Sequence, residues 1–490
     1  MTLTHSRLTA AAAGTVLTLL DDAVARVPTR RAVADELRTL DYRTLQRRVA
    51  AAAECLRAEG LGRGDRIALE LPSSVAFVES FLAILATGAA AMPVPSTARA
   101  GELRALFAEA DVRALVTAVD DHRHVAALTF SADADGLRRV AGGSASAHQR
   151  TADRTPPAPD DVALIATSSG TTARPHLVSR THANLWWEAQ NFSASTEIDS
   201  ADVVLGVVPL SHAHGLGNAF LAALRAGASL VLRPRFLRRQ TLDLLATERV
   251  TLFPAVPFML RMLAATDRRR TWDLSALRLC VSAGAPLPAE IFEAFHARFG
   301  VRVRQLYGLT EAGSVTCDLA PDAAVDAATV GRPLGNVVVT IERADGTIAA
   351  PGEVGEIVIR SAAAEGGATR PLRTHDLGRA DASGALTITG RTSLFINSAG
   401  NKVDPAEVEA ALRAHPAVAD VAVFGLAAAH GDQVVAAAVV LASPVAADVL
   451  RAHCHELLAP YKVPRVLRFR DALPRSPLGK VLIGRLLTEA

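Results

Sequence analysis

Lysine is nearly absent from this sequence. Of 52 basic residues only three are lysines, Lys402, Lys462 and Lys480, all within the last 89 positions, and the other 49 are arginines. On a solvated surface either cation serves, so chance explains a surviving lysine as readily as a demand for a compact ammonium. Lys480 is the exception, because it stands in PRSPLGK, a Pro/Gly turn close to the last residue. Aromatic residues are also scarce, at 4%, which argues against a base-stacking surface. The net charge is +2 with both signs interspersed, so there is neither a basic patch for nucleic acid nor an acidic tail. The four cysteines, Cys55, Cys280, Cys317 and Cys454, form no CxxC pair and no zinc spacing, and a reducing, cytoplasmic setting fits them best. No uninterrupted apolar run reaches membrane-spanning length, which excludes stable membrane insertion. The opening RLTAAAAGTVLTLL runs straight into Asp21 and Asp22, and it reads as an amphipathic first helix rather than a signal peptide.

What is present is a long chain with ample core material. At 490 residues, half of them apolar, two or more domains are expected. Short β-like runs alternate with helical patterns: RIALEL before SVAFVESFLAILATG, AAMPVP before ELRALFAEA, and VVLGVVPL before FLAALRAG and SLVLRP. That alternation predicts α/β layers with largely parallel sheets. Residues 145–160 are polar and Pro-rich and read as a connecting loop. From about 335 the pattern turns β-rich, as hairpin strands of a small barrel or sheet, and after Arg391 helices and strands mix again. The expected fold class is therefore α/β. A large N-terminal domain (1–391) of layered sheets carries a small β-barrel-like part, and a small α+β C-terminal domain (392–490) follows.

Three clusters carry chemistry. In ALIATSSGTTARPH an apolar strand runs into Thr167, Ser168, Ser169, Gly170, Thr171 and Thr172. Hydroxyls around a glycine can present O–H and N–H donors to phosphate oxygens. The stretch is not a Walker loop, and alone it is equally a Ser/Thr-rich turn. In QLYGLTEAG, Tyr307 could stack on a base, and Thr310 and Glu311 offer hard oxygen ligands suited to Mg2+ on a nucleotide; a capped helix start explains it as easily. In RTHDLG, Asp376 follows a strand-like segment, and Arg391 stands 15 residues later. An acid that accepts ribose hydroxyls beside an arginine suits a nucleotide, and a surface turn with a salt bridge suits the same residues.

Taken in order, these pieces reinforce one another. The chain resembles the adenylate-forming enzymes: acyl- and aryl-CoA synthetases, firefly-luciferase-like enzymes and the adenylation domains of peptide synthetases. TSSGTTARPH is similar to the family's phosphate loop, PLSHAHG (209–215) to its PLxHxxG segment, and SAGAPLP (282–288) to its adenine-binding GGAPL stretch. YGLTE, THDLG, GRTSLFINSAGNKVDPAEVE (390–409) and PLGK follow in the family's order.

The resemblance implies two steps. A carboxylate attacks the α-phosphorus of ATP, giving an acyl-adenylate and pyrophosphate, and a thiol then takes the acyl group and releases AMP. The first step brings two anions together, so positioned cations and donors must do most of the work. By carry-over, Lys480 is the adenylation lysine, and Thr171 and Thr172 belong to the phosphate cradle with His176. Thr310 and Glu311 hold the α-phosphate and Mg2+, with Thr171 a further metal contact. Tyr307 with the backbone of Gly284, Ala285 and Pro286 encloses adenine, Asp376 and Arg391 hold the ribose, and His212 lies at the carboxylate tunnel. The family turns its small domain between the half-reactions, about a pivot that falls on Ser393. That motion brings Lys480 in for the first step and Lys402 toward the site for the second. Lys402 is otherwise a solvated hairpin lysine, and Lys462 reads as a packing or surface residue.

Departures from the family pattern are specific. The loop usually reads SGTTGxPKG, whereas Ala173 and His176 stand at the second glycine and the lysine. A histidine is mostly neutral at pH 7, so ATP affinity is expected to be weaker or proton-dependent. The pivot is usually Asp or Lys and is Ser393 here, while the familiar TGD is Thr374-His375-Asp376, which keeps the acid. The stretch before THDLG is short. Since Glu311, Asp376, Arg391 and Lys480 are intact, an active enzyme is expected.

The acid and the thiol are less constrained. Amino-acid-activating domains place an aspartate against the α-ammonium, and PLSHAHGLGNAF has no acid. A buried ammonium without a partner is costly, so an acid lacking an α-amino group is favoured. Candidate pocket residues are Trp186 and Trp187, His214, Leu216, Asn218, Gly308 and Ser314, consistent with an aryl or medium acyl group. The acceptor is coenzyme A or, alternatively, the phosphopantetheine of a carrier protein. A non-catalytic nucleotide-binding relative is a third reading, motivated by His176 and Ser393, and the chain is expected to be a monomer or homodimer.

Overall fold

A computed structural model of the chain describes residues 1–4, 13–96, 98, 100–122, 125–133, 135–142, 154–168, 176–267, 269–391, 396–398, 401–427, 433–458, 460–476, 479 and 481–488. Two large sheets share one construction, parallel in the middle and antiparallel at the ends. The seven-stranded sheet runs His176–Thr181, Val162–Ser168, Ala90–Pro93, Arg66–Glu70, Ala114–Thr117, Leu128–Ala132, Leu137–Gly142. Its inner pairs are parallel and its two outer pairs antiparallel. The nine-stranded sheet runs from Arg332–Pro333 through Gly313–Cys317, Val303–Leu309, Leu279–Ser282, Leu252–Ala255, Val203–Gly206, Ser229–Leu232 and Arg31–Ala34 to Thr39–Asp41. Parallel strands need crossover helices and become buried on both faces, which is why RIALE and LCVS read as near-continuous apolar runs.

The helix Val75–Ala86 illustrates the local logic. The Ser74 side chain accepts from the Phe77 N–H at 3.2 Å, and all but two of the helix's residues are buried. An N-cap starts the helix, and apolar residues on every side let it lie between layers, inside the cluster that also holds Phe192, Phe220 and Ile357. The helix His182–Ser195 begins with a full capping box, in which Thr181 accepts from the Asn184 N–H while the Asn184 side chain accepts from the Thr181 N–H. This cap fixes where Glu188, two turns further, points.

The β-rich region is a five-stranded antiparallel sheet, Thr2–Thr4, Val337–Glu342, Gly355–Ser361, Leu372–Ala380 and Leu386–Arg391. Its first strand, Thr2–Thr4, pairs with Val338–Thr340 ahead of the stretch read as a helix; that stretch carries the start of the first helix, Val16–Arg26, capped by Thr15, and its residues 7–12 lie outside the described residues. A short β-branched segment next to an open sheet edge gains a ladder there, which periodicity within the first twenty residues does not reveal.

Beyond Arg391 the chain forms the hairpin Ile396–Ser398/Asn401–Val403 and a three-stranded sheet, Val418–Ala427, Gln433–Leu441 and Val466–Arg470, with the helices Pro405–Arg413 and Ala447–Leu457. Its two apolar clusters draw only on residues from Ile396 onward. No helix among the described residues is long and apolar enough to cross a membrane.

Candidate active site

The nucleotide-facing end is built on adjacent strands. Asp376 stands directly opposite Arg391 in the antiparallel pair, and the two side chains form an ion pair. The Tyr307 hydroxyl, on the strand Val303–Leu309 of another sheet, donates to the second Asp376 oxygen at 2.6 Å. Thr374 steadies the turn, accepting from the Asp376 N–H at 3.0 Å and donating to the Ile357 carbonyl at 2.8 Å. Burial, and then the Asp376 charge, hold the Tyr307 phenol well above its ordinary pKa, so it stays a donor. Each carboxylate oxygen keeps a second lone pair, which suits the acid to accept ribose hydroxyls. Gly284 has φ 85°, and a Cβ built there would come no nearer than 3.9 Å, to Val256. With Gly284, Ala285 and Pro286 exposed and the buried Ser282 hydroxyl lacking a hydrogen-bond partner, this edge fits a planar, polar base.

YGLTEAG is a hairpin and not a helix start. Strands Val303–Leu309 and Gly313–Cys317 flank a turn that carries Thr310 and Glu311. The Glu311 carbonyl accepts from the Glu365 N–H at 2.7 Å, and its half-buried carboxylate has no ion-pair partner among the described residues. Hydroxyl and carboxylate are hard donors that fit magnesium on a triphosphate. No group of three or more metal-ligating His, Cys, Asp or Glu side chains occurs among the described residues, so such an ion would be shared with phosphate oxygens and water. The strand Val162–Ser168 pairs with His176–Thr181 up to Ser168↔His176, which closes the two ends of the expected phosphate loop and places Thr167 one step earlier, opposite Leu177. Ser169, Gly170, Thr171, Thr172, Ser393 and Lys480 lie outside the described residues, as do the side chains of Ser168, His176 and Lys402.

At the other end, where the carboxylate tunnel is expected, a pocket is lined among others by Ala166, Arg180, Glu188, His212, Leu216 and Thr310. His212 caps the turn Ala213–Gly215, which runs into a π-helical turn, Leu216–Leu221, a distortion common at functional sites. Burial lowers the His212 pKa to about 4, and its Nε2 is buried with no hydrogen-bond partner. A neutral imidazole nitrogen is thus free to meet a carboxylic substrate. His214, Asn218 and Ser314 do converge, as a relay. The Ser314 hydroxyl donates to Asn218 Oδ1 (2.6 Å), Asn218 Nδ2 donates to His214 Nδ1 (2.9 Å), and His214 Nε2 donates to the Ala255 carbonyl (3.0 Å). Burial brings His214 to about 4 as well. The relay uses its polar atoms internally, so these residues shape the wall more than they offer contacts. Gly308 is exposed beside them. Trp187 is buried and packs edge-on against Trp186, and it is not among the residues around His212.

Two residues of this pocket were missed in the sequence. Arg180 and Glu188 form an ion pair at 2.6 Å with side chains only 1% and 3% exposed. Arg180 also donates to the Ala363 carbonyl at 2.8 Å. Nothing in a strand ending SRTH or a helix beginning HANLWWE marks them as partners; the charge spacing becomes meaningful only once strand and helix are folded together. On the C-terminal side, Lys462 binds both oxygens of Glu407 at 2.6 Å, in keeping with a surface role. Gly479, the neighbour of Lys480, packs on Phe258 at the start of the helix Pro257–Ala264, with its ideal Cβ 3.5 Å from the ring-bearing Cβ. The same helix's cap, Val256, faces Gly284. Gly479 therefore lies beside the helix whose cap faces the expected adenine edge.

Known proteins with this construction are numerous. The AMP-binding enzyme family pattern matches residues 20–367, and the AMP-binding enzyme C-terminal domain matches residues 407–480. A feruloyl-CoA synthase from an Amycolatopsis species is 34% identical, covering 91% of this chain and 93% of its own. A sulfoacetate–CoA ligase from Cupriavidus necator is 32% identical, covering 92% and 91%. Among solved structures, the o-succinylbenzoate coenzyme A synthetase of Bacillus subtilis in complex with ATP and magnesium ion superposes with a TM-score of 0.80 at 28% identity, covering 96% of this chain and 99% of that one. The two matched regions follow one another as the two folded parts of the chain do, and with them the protein takes its place in the family of AMP-binding, adenylate-forming enzymes.

Proposed function

We propose that the protein is an AMP-forming acid–thiol ligase that uses ATP to activate a small carboxylic acid lacking an α-amino group and passes the acyl group to coenzyme A. The observation that carries this reading is the shared pocket of His212 and Thr310. It sets a buried, neutral imidazole next to the turn whose hydroxyl and carboxylate suit phosphate and magnesium. Asp376, Tyr307 and Arg391 would hold the ribose, and Glu311 with Thr310 would steady the α-phosphate and its ion. Lys480 would bring its ammonium between the acid and the phosphate, where negative charge builds. The packing of Gly479 on Phe258 supports a resting arrangement in which Lys480 is near the site. A turn about Ser393 would then exchange Lys480 for Lys402 before the thiol attacks. Four free thiols fit a reducing, cytoplasmic setting. Sulfoacetate and ferulate are substrates in the names of its relatives; they bracket the acid class without naming this chain's acid.

The test is carboxylate-dependent exchange of labelled pyrophosphate into ATP across an acid panel, followed by addition of coenzyme A or a phosphopantetheinylated carrier protein. Exchange with at least one acid and thioester formation on coenzyme A is the expected result. Transfer to the carrier alone would move the acceptor assignment. No exchange with any acid would sink the ligase reading and leave a nucleotide-binding relative.

A further inference from the structure

The Arg180–Glu188 pair sits inside the acid pocket, where neither charge is needed for phosphate chemistry. Both residues line the cavity with His212 and Thr310. The Glu188 carboxylate is wedged between two glycines on different elements. A Cβ on Gly217 would lie 2.0 Å from Glu188 Oε1, and one on Gly313 would lie 2.4 Å from the carboxyl carbon. Any side chain at either glycine would expel the carboxylate, so the pocket has been cleared for this acid. Arg180 Nη1 serves Glu188 and Nη2 serves the Ala363 and Asn184 carbonyls, while its Nε is buried without a partner among the described residues. Among the described residues Glu188 receives one N–H, from Arg180, while a carboxylate has about four acceptor positions. The pair is neutral as a whole, so it offers a substrate hydrogen-bond acceptance without net charge.

We infer that Glu188, held in place by Arg180, is a specificity-determining residue that selects short acids carrying a hydroxyl group remote from the reacting carboxyl. A neutral hydroxyl can donate to the spare acceptor positions of Glu188. An unsubstituted apolar acid would leave them desolvated and unmatched. A second carboxylate would bring two like charges together in a dry site. The Glu188 side chain is itself part of the pocket lining, so a substrate chain that reaches it is stopped there. This inference rests on the ligase reading of the site.

The experiment measures pyrophosphate exchange with matched acids: benzoate, 3- and 4-hydroxybenzoate and isophthalate, and propanoate, 3-hydroxypropanoate and malonate. The expected result is a hydroxy-acid favoured over its unsubstituted parent by about tenfold or more in kcat/KM, as for sites built to bind a substrate hydroxyl, with the diacid poorest. The paired variant Arg180→Met with Glu188→Met removes both charges together and should erase that preference while melting as a folded protein. Glu188→Gln, which keeps a donor–acceptor side chain of similar size, should retain part of it. An equal or better rate with the parent acid or the diacid in the unaltered protein would overturn the inference, as would an unchanged ratio in the double variant. If that variant does not fold, the matched acids on the unaltered protein decide alone. Absence of exchange with every acid would instead overturn the ligase reading, and the inference with it.

Discussion

The two ends of the site each hold a carboxylate–arginine pair, and the pairs differ in their contact with water. Arg391 leaves about a third of its side chain exposed beside Asp376, and that carboxylate also takes the Tyr307 hydroxyl. Arg180 and Glu188 are almost wholly enclosed. A partly wet pair can yield hydrogen bonds to an arriving ligand at little cost, since water already competes for them. A dry pair cannot open without stranding a charge. The first therefore suits a nucleotide that comes and goes in every cycle, and the second suits a fixed wall against which acids are sorted.

Breaking the dry pair should produce the largest loss of any single substitution. Glu188→Ala leaves Arg180 buried and unpaired, and about 3–5 kcal/mol of stability should disappear, read as a lower denaturant midpoint at unchanged m-value. An effect under about 1 kcal/mol would mean that Arg180 reaches water and that the contrast between the ends is false. Next comes a cation that neither pair can replace. Lys480→Ala should cost the adenylation step roughly 3–4 kcal/mol, a several-hundred-fold or greater drop in exchange, and Lys480→Arg should not restore it. Thioester formation from a supplied acyl-adenylate should be much less affected; equal loss in both steps would remove the lysine from its assigned role.

Acid should sharpen the contrast, because the dry end also holds buried histidines. His212 and His214, with His182 close by in sequence to the pair, are lowered by burial to about 4. Between pH 6.5 and 4 the unfolded chain takes up protons that these sites refuse. Stability is thus fully present above about 6.5 and falls as pH drops toward 4. The loss should be about 2 kcal/mol per histidine between pH 7 and 5, measured by denaturant titration at each pH. A flat profile across that window would show that the imidazoles protonate freely. The smallest effect belongs to the wet pair. Asp376→Ala should change stability by only about 1–2 kcal/mol while raising the KM for ATP about tenfold through lost ribose contacts. A KM change for the acid instead would place the pair at the wrong end.

The Asp376–Arg391 pair was legible in the sequence and the Arg180–Glu188 pair was not, for a physical reason. Asp376 and Arg391 occupy facing strands of one hairpin, so their relation is local and a short motif preserves it. Tyr307, Thr310 and Glu311 likewise share one hairpin. Glu188 depends on Gly217 and Gly313, which reach it from two other elements, and no local pattern encodes such a meeting. The parallel sheets were readable because each buried strand is an apolar run between helices. The opening strand was unreadable because its partner lies 338 positions away, at Thr340 opposite Thr2.

That long reach bears on the order in which the protein is made. A chain emerging from the ribosome generally folds its early parts first, yet Thr2–Thr4 has no partner until Val338–Thr340 has been synthesised. The helix Val16–Arg26 can settle long before, so the first residues wait as a loose end. One edge of the antiparallel sheet is therefore filled by a segment made well before its partner strand.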